Sequence, residues 1–206
     1  MKVLMINGSP HTHGNTAIAL KELEKTFAEL GVETAIVNLD TQAVRGCIAC
    51  YKCAEKGQCV FDDIVNKTAP KFAEADGLVV AAPVYYASAN ATLIAFLQRL
   101  FFSTRNINKL MKVGASVAVC RRGGASATFD ELNKFFTISN MPIVSSQYWN
   151  SVHGRTPGEA EQDIEGLQTM RTLARNMTFL MQSIELGKKA YGLPQNEEVT
   201  LMNFIR

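Results

Sequence analysis

No apolar run in these 206 residues reaches the roughly 20 needed to span a bilayer as a helix, so no membrane anchor is expected. An excess of one charge sign is missing too. Twenty-one Lys and Arg stand against 19 Asp and Glu, leaving a net charge of +2. That balance gives no electrostatic footprint for nucleic acid or for a membrane surface. Evenly spaced cysteine pairs are also absent. Four of the five cysteines crowd between positions 47 and 59, which is no disulfide framework. Reduced thiols in the cytoplasm, a metal site or a redox site fit this usage better. Residues 1–6 lead straight into a strand pattern rather than a secretory leader, so a cytoplasmic location is expected. There is no internal repeat and no low-complexity tract.

What is present is ordinary for a globular domain: 47% of residues are hydrophobic and 19% charged. The chain is organised around Asn7–Thr16, N-G-S-P-H-T-H-G-N-T. An apolar run, Val3-Leu4-Met5-Ile6, reads as a buried strand before it, and a helical pattern from Asn15 to Leu30 follows. A loop entering a helix carries free backbone N–H groups, and the helix dipole adds partial positive charge there. Ser9, Thr12 and Thr16 add hydroxyls. The segment suits a phosphate monoester; it also reads as a plain helix start with Asn15 as N-cap.

Further strands are expected at Val32–Leu39, Leu78–Ala82, Val113–Cys120 and Pro142–Trp149. Helices are expected from a cap at Asp62 or Asp63 to about Ala75, from Ser88 or Asn90 through Leu100, at Thr128–Thr137 and from Gly158 to about Leu186. Strand and helix alternate, which predicts one α/β domain over 1–186, a parallel sheet with helices on both faces, and right-handed crossovers. Residues 187–206 form a tail whose Leu201, Met202, Phe204 and Ile205 suit a docking segment. Ligands of such sheets bind outside the carboxyl ends of the strands.

Three loops should meet there: 7–16, 83–90 and 120–126. The first suits a phosphate. The second, Pro83-Val84-Tyr85-Tyr86, offers a flat aromatic surface, and the third, with Gly123-Gly124, lets backbone approach a planar ligand. A phosphate at one end and a flat polar ring at the other describe FMN. Each loop alone also reads blandly, the tyrosines as packing and the glycines as a turn.

Gly8-Ser9-Pro10 with Gly14-Asn15-Thr16 resembles the phosphate loop of the flavodoxin-like NAD(P)H-dependent FMN reductase family. Pro83-Val84-Tyr85-Tyr86 and Phe96-Leu97-Gln98-Arg99 are similar to two further segments of that family, with Gln98 where Asp is frequent and Ile94 where Lys is frequent. Tyr148-Trp149-Asn150 and Val152-His153-Gly154 resemble a subgroup of it. The resemblance implies a flavodoxin-like, doubly wound, five-stranded parallel sheet of order 2-1-3-4-5. It implies that Ser9, His11, Gly14, Asn15 and Thr16 surround the FMN phosphate. Pro83, Val84, Tyr85 and Tyr86 would line the ring, with Arg121, Gly123, Gly124 and Ala125 near its pyrimidine edge. It further implies NAD(P)H as electron donor, a small-molecule acceptor (quinone, nitro compound, flavin or metal ion), and a homodimer or homotetramer. The flavin carries the chemistry, so no catalytic triad is sought; Arg121 or Arg122 would act electrostatically.

Cys47, Cys50, Cys53 and Cys59 read C-x2-C-x2-C-x5-C, close to the compact motif of iron–sulfur flavoproteins, which share this fold. Such a set can wrap a [4Fe–4S] cluster, bind zinc, or form a redox-sensitive thiol loop. Cys120 ends a strand and reads as a small apolar residue.

Overall fold

Side chains alternate across the apolar strands, and the two faces they make are covered by different helices. The computed structural model describes residues 1–198 together with Thr200 and Met202. Strand β1 spans Lys2–Asn7, helix α1 Asn15–Glu29, β2 Glu33–Asn38, the single turn α2 Cys53–Lys56, and α3 Ile64–Glu74. Then come β3 Gly77–Tyr85, β4 Ser88–Ala89, α4 Ala91–Ser103, β5 Val113–Cys120, α5 Ala125–Thr137, β6 Ser151–His153 and α6 Ile164–Tyr191. Val3, Met5, Val79 and Val117 face Leu20, Phe27, Leu173 and Met177 of α1 and α6. Leu4, Ile6, Leu78 and Val80 face Phe72, Phe96, Leu97 and Phe136 of α3, α4 and α5. Strands buried on both faces are what a parallel sheet between two helical layers requires.

The strand order is β2-β1-β3-β5-β6, with all four pairings parallel and β4 attached to β3 alone. With that two-residue hairpin strand set aside, this is the flavodoxin-like order expected from the sequence. β4 itself was not expected. Tyr86 and Ala87 turn the chain at φ of 52° and 60°, which matches a tight hairpin but lacks the glycine or asparagine that usually announces one.

The edge strand differs from expectation. Pro142–Trp149 is not a continuous strand: Ile143 bridges Gly114, the chain then leaves the sheet, and pairing resumes only at Ser151 opposite Ala118. Polar contacts hold the excursion. Asn176 Nδ2 donates to the Ser145 carbonyl at 2.8 Å, and Asn150 Nδ2 donates to the Ser116 carbonyl at 3.1 Å. The ring of Tyr148 packs on that of Trp149 at 5.3 Å, and both stay exposed. Asp63 caps α3 as expected, accepting from Val65 N at 3.0 Å. The last helix runs past 186 to Tyr191. Of the apolar tail residues, Leu201, Phe204 and Ile205 lie outside the described residues, and Met202 is exposed. No helix among the described residues is long and apolar enough to cross a membrane.

Candidate functional site

The loop after β1 is built from its own side chains. Asn7, fully buried, accepts through Oδ1 from Ser9 N at 3.1 Å and donates through Nδ2 to Asn38 Oδ1 at 2.9 Å. Ser9 Oγ accepts from His11 N at 3.0 Å, and the His11 carbonyl accepts from Gly14 N at 3.2 Å. Gly8 lets the loop cross tightly between β3 and α4, since a Cβ there would lie 2.7 Å from Leu93 Cδ2 and 3.0 Å from the Ala81 carbonyl. Asn90 Nδ2 donates to the Gly8 carbonyl at 2.7 Å.

Gly14, not Asn15, is the N-cap of α1, and it supplies no side-chain cap. The first-turn amides of Asn15 and Thr16 have no acceptor among the described residues. Asn15 is drawn elsewhere. Its Nδ2 donates to the Thr156 carbonyl at 3.0 Å and its Oδ1 accepts from Ala160 N at 3.2 Å, tying the loop after β6 to the start of α1. A primary amide can make both bonds at once, which makes Asn15 the rivet between these segments.

A cleft of about 640 Å³ opens above the carboxyl ends of β1, β3 and β5. Ser9, His11, Gly14, Asn15 and Thr16 line one end, Pro83, Val84 and Tyr85 one wall, and Arg121 the other. The remaining expected site residues lie elsewhere. The Tyr86 ring sits at the hairpin tip, fully exposed, and Gly123, Gly124 and Ala125 do not border the cleft. Gly124 acts one layer behind it. Its φ is +92°, and a Cβ there would approach Ala87 Cα to 2.7 Å and Val84 Cγ1 to 2.9 Å, so this glycine lets α5 support the hairpin wall. Glu131 of α5 completes that support, accepting from Ser88 Oγ at 2.7 Å and Ala89 N at 2.9 Å.

Gly154, Arg155 and Pro157, outside the expected site residues, also line the cleft. The only sequence signal for them was the His153-Gly154 pair. Glu159 shapes their loop by accepting from the backbone N–H groups of Thr156 and Arg155, and those bonds hold its carboxyl below the usual range. Among the described residues, the lining contains two arginines, two histidines and no carboxylate. Cys120 sits at the floor, where burial pushes its thiol pKa up. The chemistry offered is an anion cradle of free amides and hydroxyls leading to an apolar and aromatic wall.

The cysteine loop forms a second, smaller place. Cys47, Cys50, Cys53 and Cys59 all border one cavity of about 20 Å³, together with Tyr51, Phe61, Arg99 and Phe102. Cys47 and Cys50 are exposed, Cys59 is half-buried and Cys53 is buried. Ala49 and Tyr51, between the thiols, hold positive φ of 50° and 58°. The Ala49 N–H donates to Cys47 Sγ at 3.5 Å. Arg99 enters from α4, wholly buried, and donates from Nε and Nη2 to Cys59 Sγ, both at 3.2 Å. Its fork also grips Asp63, at 2.6 and 3.0 Å. Burial opposes the Arg99 charge, but the bonds to Asp63 and Cys59 outweigh it and raise its pKa. Among the described residues, no three His, Cys, Asp or Glu side chains are grouped so as to hold a single metal ion.

A doubly wound parallel sheet with an amide-rimmed cleft over its first and third strands defines a flavodoxin-like protein. The chain belongs to the NADPH-dependent FMN reductase family, whose model matches residues 1–156. It is a flavin oxidoreductase with FMN as its cofactor. An iron–sulfur flavoprotein of Methanocaldococcus jannaschii is 34% identical over 197 residues, 90% of this chain and 100% of that protein. An iron–sulfur flavoprotein of Methanosarcina thermophila is 31% identical, covering 91% of this chain and 99% of its own length. Among solved structures, RosB with bound 8-demethyl-8-formylriboflavin-5'-phosphate superposes with a TM-score of 0.68 at 15% identity, over 100% of this chain and 92% of its own. A flavodoxin from the domain Archaea gives 0.60 at 12%, over 88% and 99%. These two structural likenesses speak for the fold.

Proposed function

We propose that this protein takes electrons from NADH or NADPH and delivers them to a small acceptor such as a quinone, a nitro compound, a free flavin or a metal ion. The observation that carries this reading is the cleft, whose phosphate end has acceptor-free amides and whose lining lacks any carboxylate. Its residues fit FMN. The amides of Asn15 and Thr16 and the hydroxyls of Ser9, Thr12 and Thr16 would hold the phosphate, with the helix dipole of α1 behind them. Pro83, Val84 and Tyr85 would orient the flat ring, and Arg121 would favour negative charge on it. FMN, when bound, would supply the redox chemistry, and the protein's residues would bind and orient it. The Asn15 rivet fixes the start of α1 against the 154–160 loop, so the cradle is set before ligand arrives. A cytoplasmic homo-oligomer is the setting we propose, read out by light scattering.

The test is a titration of purified protein with FMN, followed by anaerobic addition of NADH or NADPH. Stoichiometric FMN uptake and rapid bleaching by a nicotinamide support the reading. A colourless protein that takes up no FMN overturns it.

A second reading, an electron-transfer iron–sulfur flavoprotein with a [4Fe–4S] cluster on Cys47–Cys59, is favoured by one observation: four thiols border a single cavity. N–H donors already point at two of the sulfurs, the usual surroundings of coordinated thiolates, so the residues fit such a cluster. Iron and sulfide analysis of anaerobically purified protein decides it, and absence of both removes it. Reduction of FMN only by a protein donor, and not by NAD(P)H, would favour the carrier over the enzyme.

A further inference from the structure

We propose that Arg99 is the positioning residue of the cysteine pocket: its guanidinium fixes the sulfur of Cys59 as a ligand and raises the reduction potential of a [4Fe–4S] cluster held there. This rests on the second reading above.

A wholly buried guanidinium is expensive unless its charge and all its donors are matched. Arg99 meets both conditions. Its Nη1 donates to Asp63 Oδ2 at 2.6 Å and to the Arg45 carbonyl at 3.3 Å. Its Nη2 donates to Asp63 Oδ1 at 3.0 Å and to the Phe61 carbonyl at 3.2 Å. Its Cζ lies over the Phe61 ring, 5.0 Å from the ring centre. Asp63 alone matches the charge, and the carbonyls take part of the hydrogen-bonding capacity. Yet Nε, which has no other acceptor among the described residues, and a third, shared contact of Nη2 converge on one sulfur. A neutral thiol is a weak acceptor, poor company for two guanidinium donors. A coordinated thiolate is a strong one, and charge-assisted bonds to it are worth far more.

The setting is fixed from both sides. Asp63 is the N-cap of α3, and Asn66 of the same helix clamps the cysteine loop, accepting from Cys59 N at 2.9 Å and donating to the Cys59 carbonyl at 3.0 Å. Cys59 is therefore held by its backbone from α3 and by its sulfur from α4. Donors to a ligand sulfur and positive charge beside it favour the more negative, reduced form of a cluster.

The experiment compares wild type, Arg99→Lys and the pair Arg99→Met with Asp63→Asn, all purified anaerobically. The pair removes both charges together, so no orphan carboxylate is left if Arg99→Lys fails to fold. Bound FMN reports folding, iron and sulfide report the cluster, and a redox titration followed by electron paramagnetic resonance gives its midpoint. We expect each variant to bind FMN as wild type does. Its cluster should be lost, or be about tenfold harder to reduce, a shift of about 59 mV to lower potential for a one-electron couple. A full cluster at the wild-type potential in both variants overturns the role of Arg99 while leaving the cluster standing. Loss of FMN along with iron in both makes Arg99 a general fold element and also overturns it. Wild-type protein with FMN but without iron and sulfide ends the cluster reading itself, and this proposal with it.

Discussion

The cleft and the cysteine pocket are made in opposite ways. The cleft is drawn mainly by backbone: amides at the start of α1, a tight crossing at Gly8, and a hairpin whose close approach depends on Gly124. The topology of the sheet brings these pieces to one edge. The cysteine pocket owes nothing to a sheet edge. It gathers around a single side chain, Arg99, that reaches a loop forty residues earlier in the chain. A site built from backbone tolerates side-chain change but not added volume or charge. A site built around one buried cation depends on that cation and its carboxylate.

The sharpest way to break this contrast is to place a charge in the cradle. Asp at position 9 can still accept from His11 N, as Ser9 does, so the local turn should survive. Its carboxylate would face the phosphate in a lining that has none. Ser9→Asp should weaken FMN binding by at least about a hundredfold, roughly 3 kcal/mol, in a fluorescence titration. Iron and sulfide in the cysteine pocket should not change. Unaltered FMN affinity would mean that the phosphate does not lie there.

A smaller effect is expected from volume behind the wall. Gly124→Val places a β-branched residue at φ +92° and a Cβ 2.7 Å from Ala87 Cα. Left-handed strain in a non-glycine residue costs about 1–3 kcal/mol. We expect the denaturation midpoint to fall accordingly and FMN affinity to drop about tenfold, roughly 1.4 kcal/mol, as Val84 and Ala87 shift. A variant that loses stability but keeps full FMN affinity would show that α5 supports the hairpin without shaping the ring site.

The two regions were not equally legible. Val3–Ile6, Leu78–Ala82 and Val113–Cys120 announce central strands because both of their faces are apolar, and the helix cap at Asp63 follows from an acidic residue before an amphipathic run. The carboxyl ends of these strands meet at the cleft, lined there by Ser9–Thr16, Pro83–Tyr85 and Arg121, while Gly123, Gly124 and Ala125 do not border it. What the sequence did not show depends on partners far along the chain. Asn15 looked like a helix cap because nothing local reveals its bonds to Thr156 and Ala160. The β3–β4 hairpin was hidden because Tyr86 and Ala87 carry no turn signature. The edge strand was misplaced because apolar residues at 142–149 suggested pairing that begins in earnest only at Ser151. Arg99 belongs to the Phe96-Leu97-Gln98-Arg99 segment, but its bond to Cys59 is visible only once α4 is packed.

A second buried cation past the end of α4 gives the mildest test of what Arg99 gains from Asp63. Lys109 is 8% exposed; its Nζ donates to the Thr104 and Ile107 carbonyls, and among the described residues it has no carboxylate partner. Burial, helped by the charge of Lys112, lowers its pKa from 10.5 to about 8, whereas Arg99 moves upward. The folded state thus penalises the charged form of Lys109. That penalty is present in full below about pH 8, where both folded and unfolded chains are protonated. Between about 8 and 10.5 the unfolded chain binds the extra proton, so this group's contribution makes stability rise with pH. The two carbonyl bonds favour the charged form and trim the effect to about 1–2 kcal/mol. Other lysines, tyrosines and thiols titrate nearby, so the quantity to measure is the difference between wild type and Lys109→Met in denaturant midpoints from pH 7 to 10.5. The wild type should gain on the variant as pH rises. A flat difference would show that Lys109 is as well matched as Arg99, and that a carboxylate is not what separates these two cations.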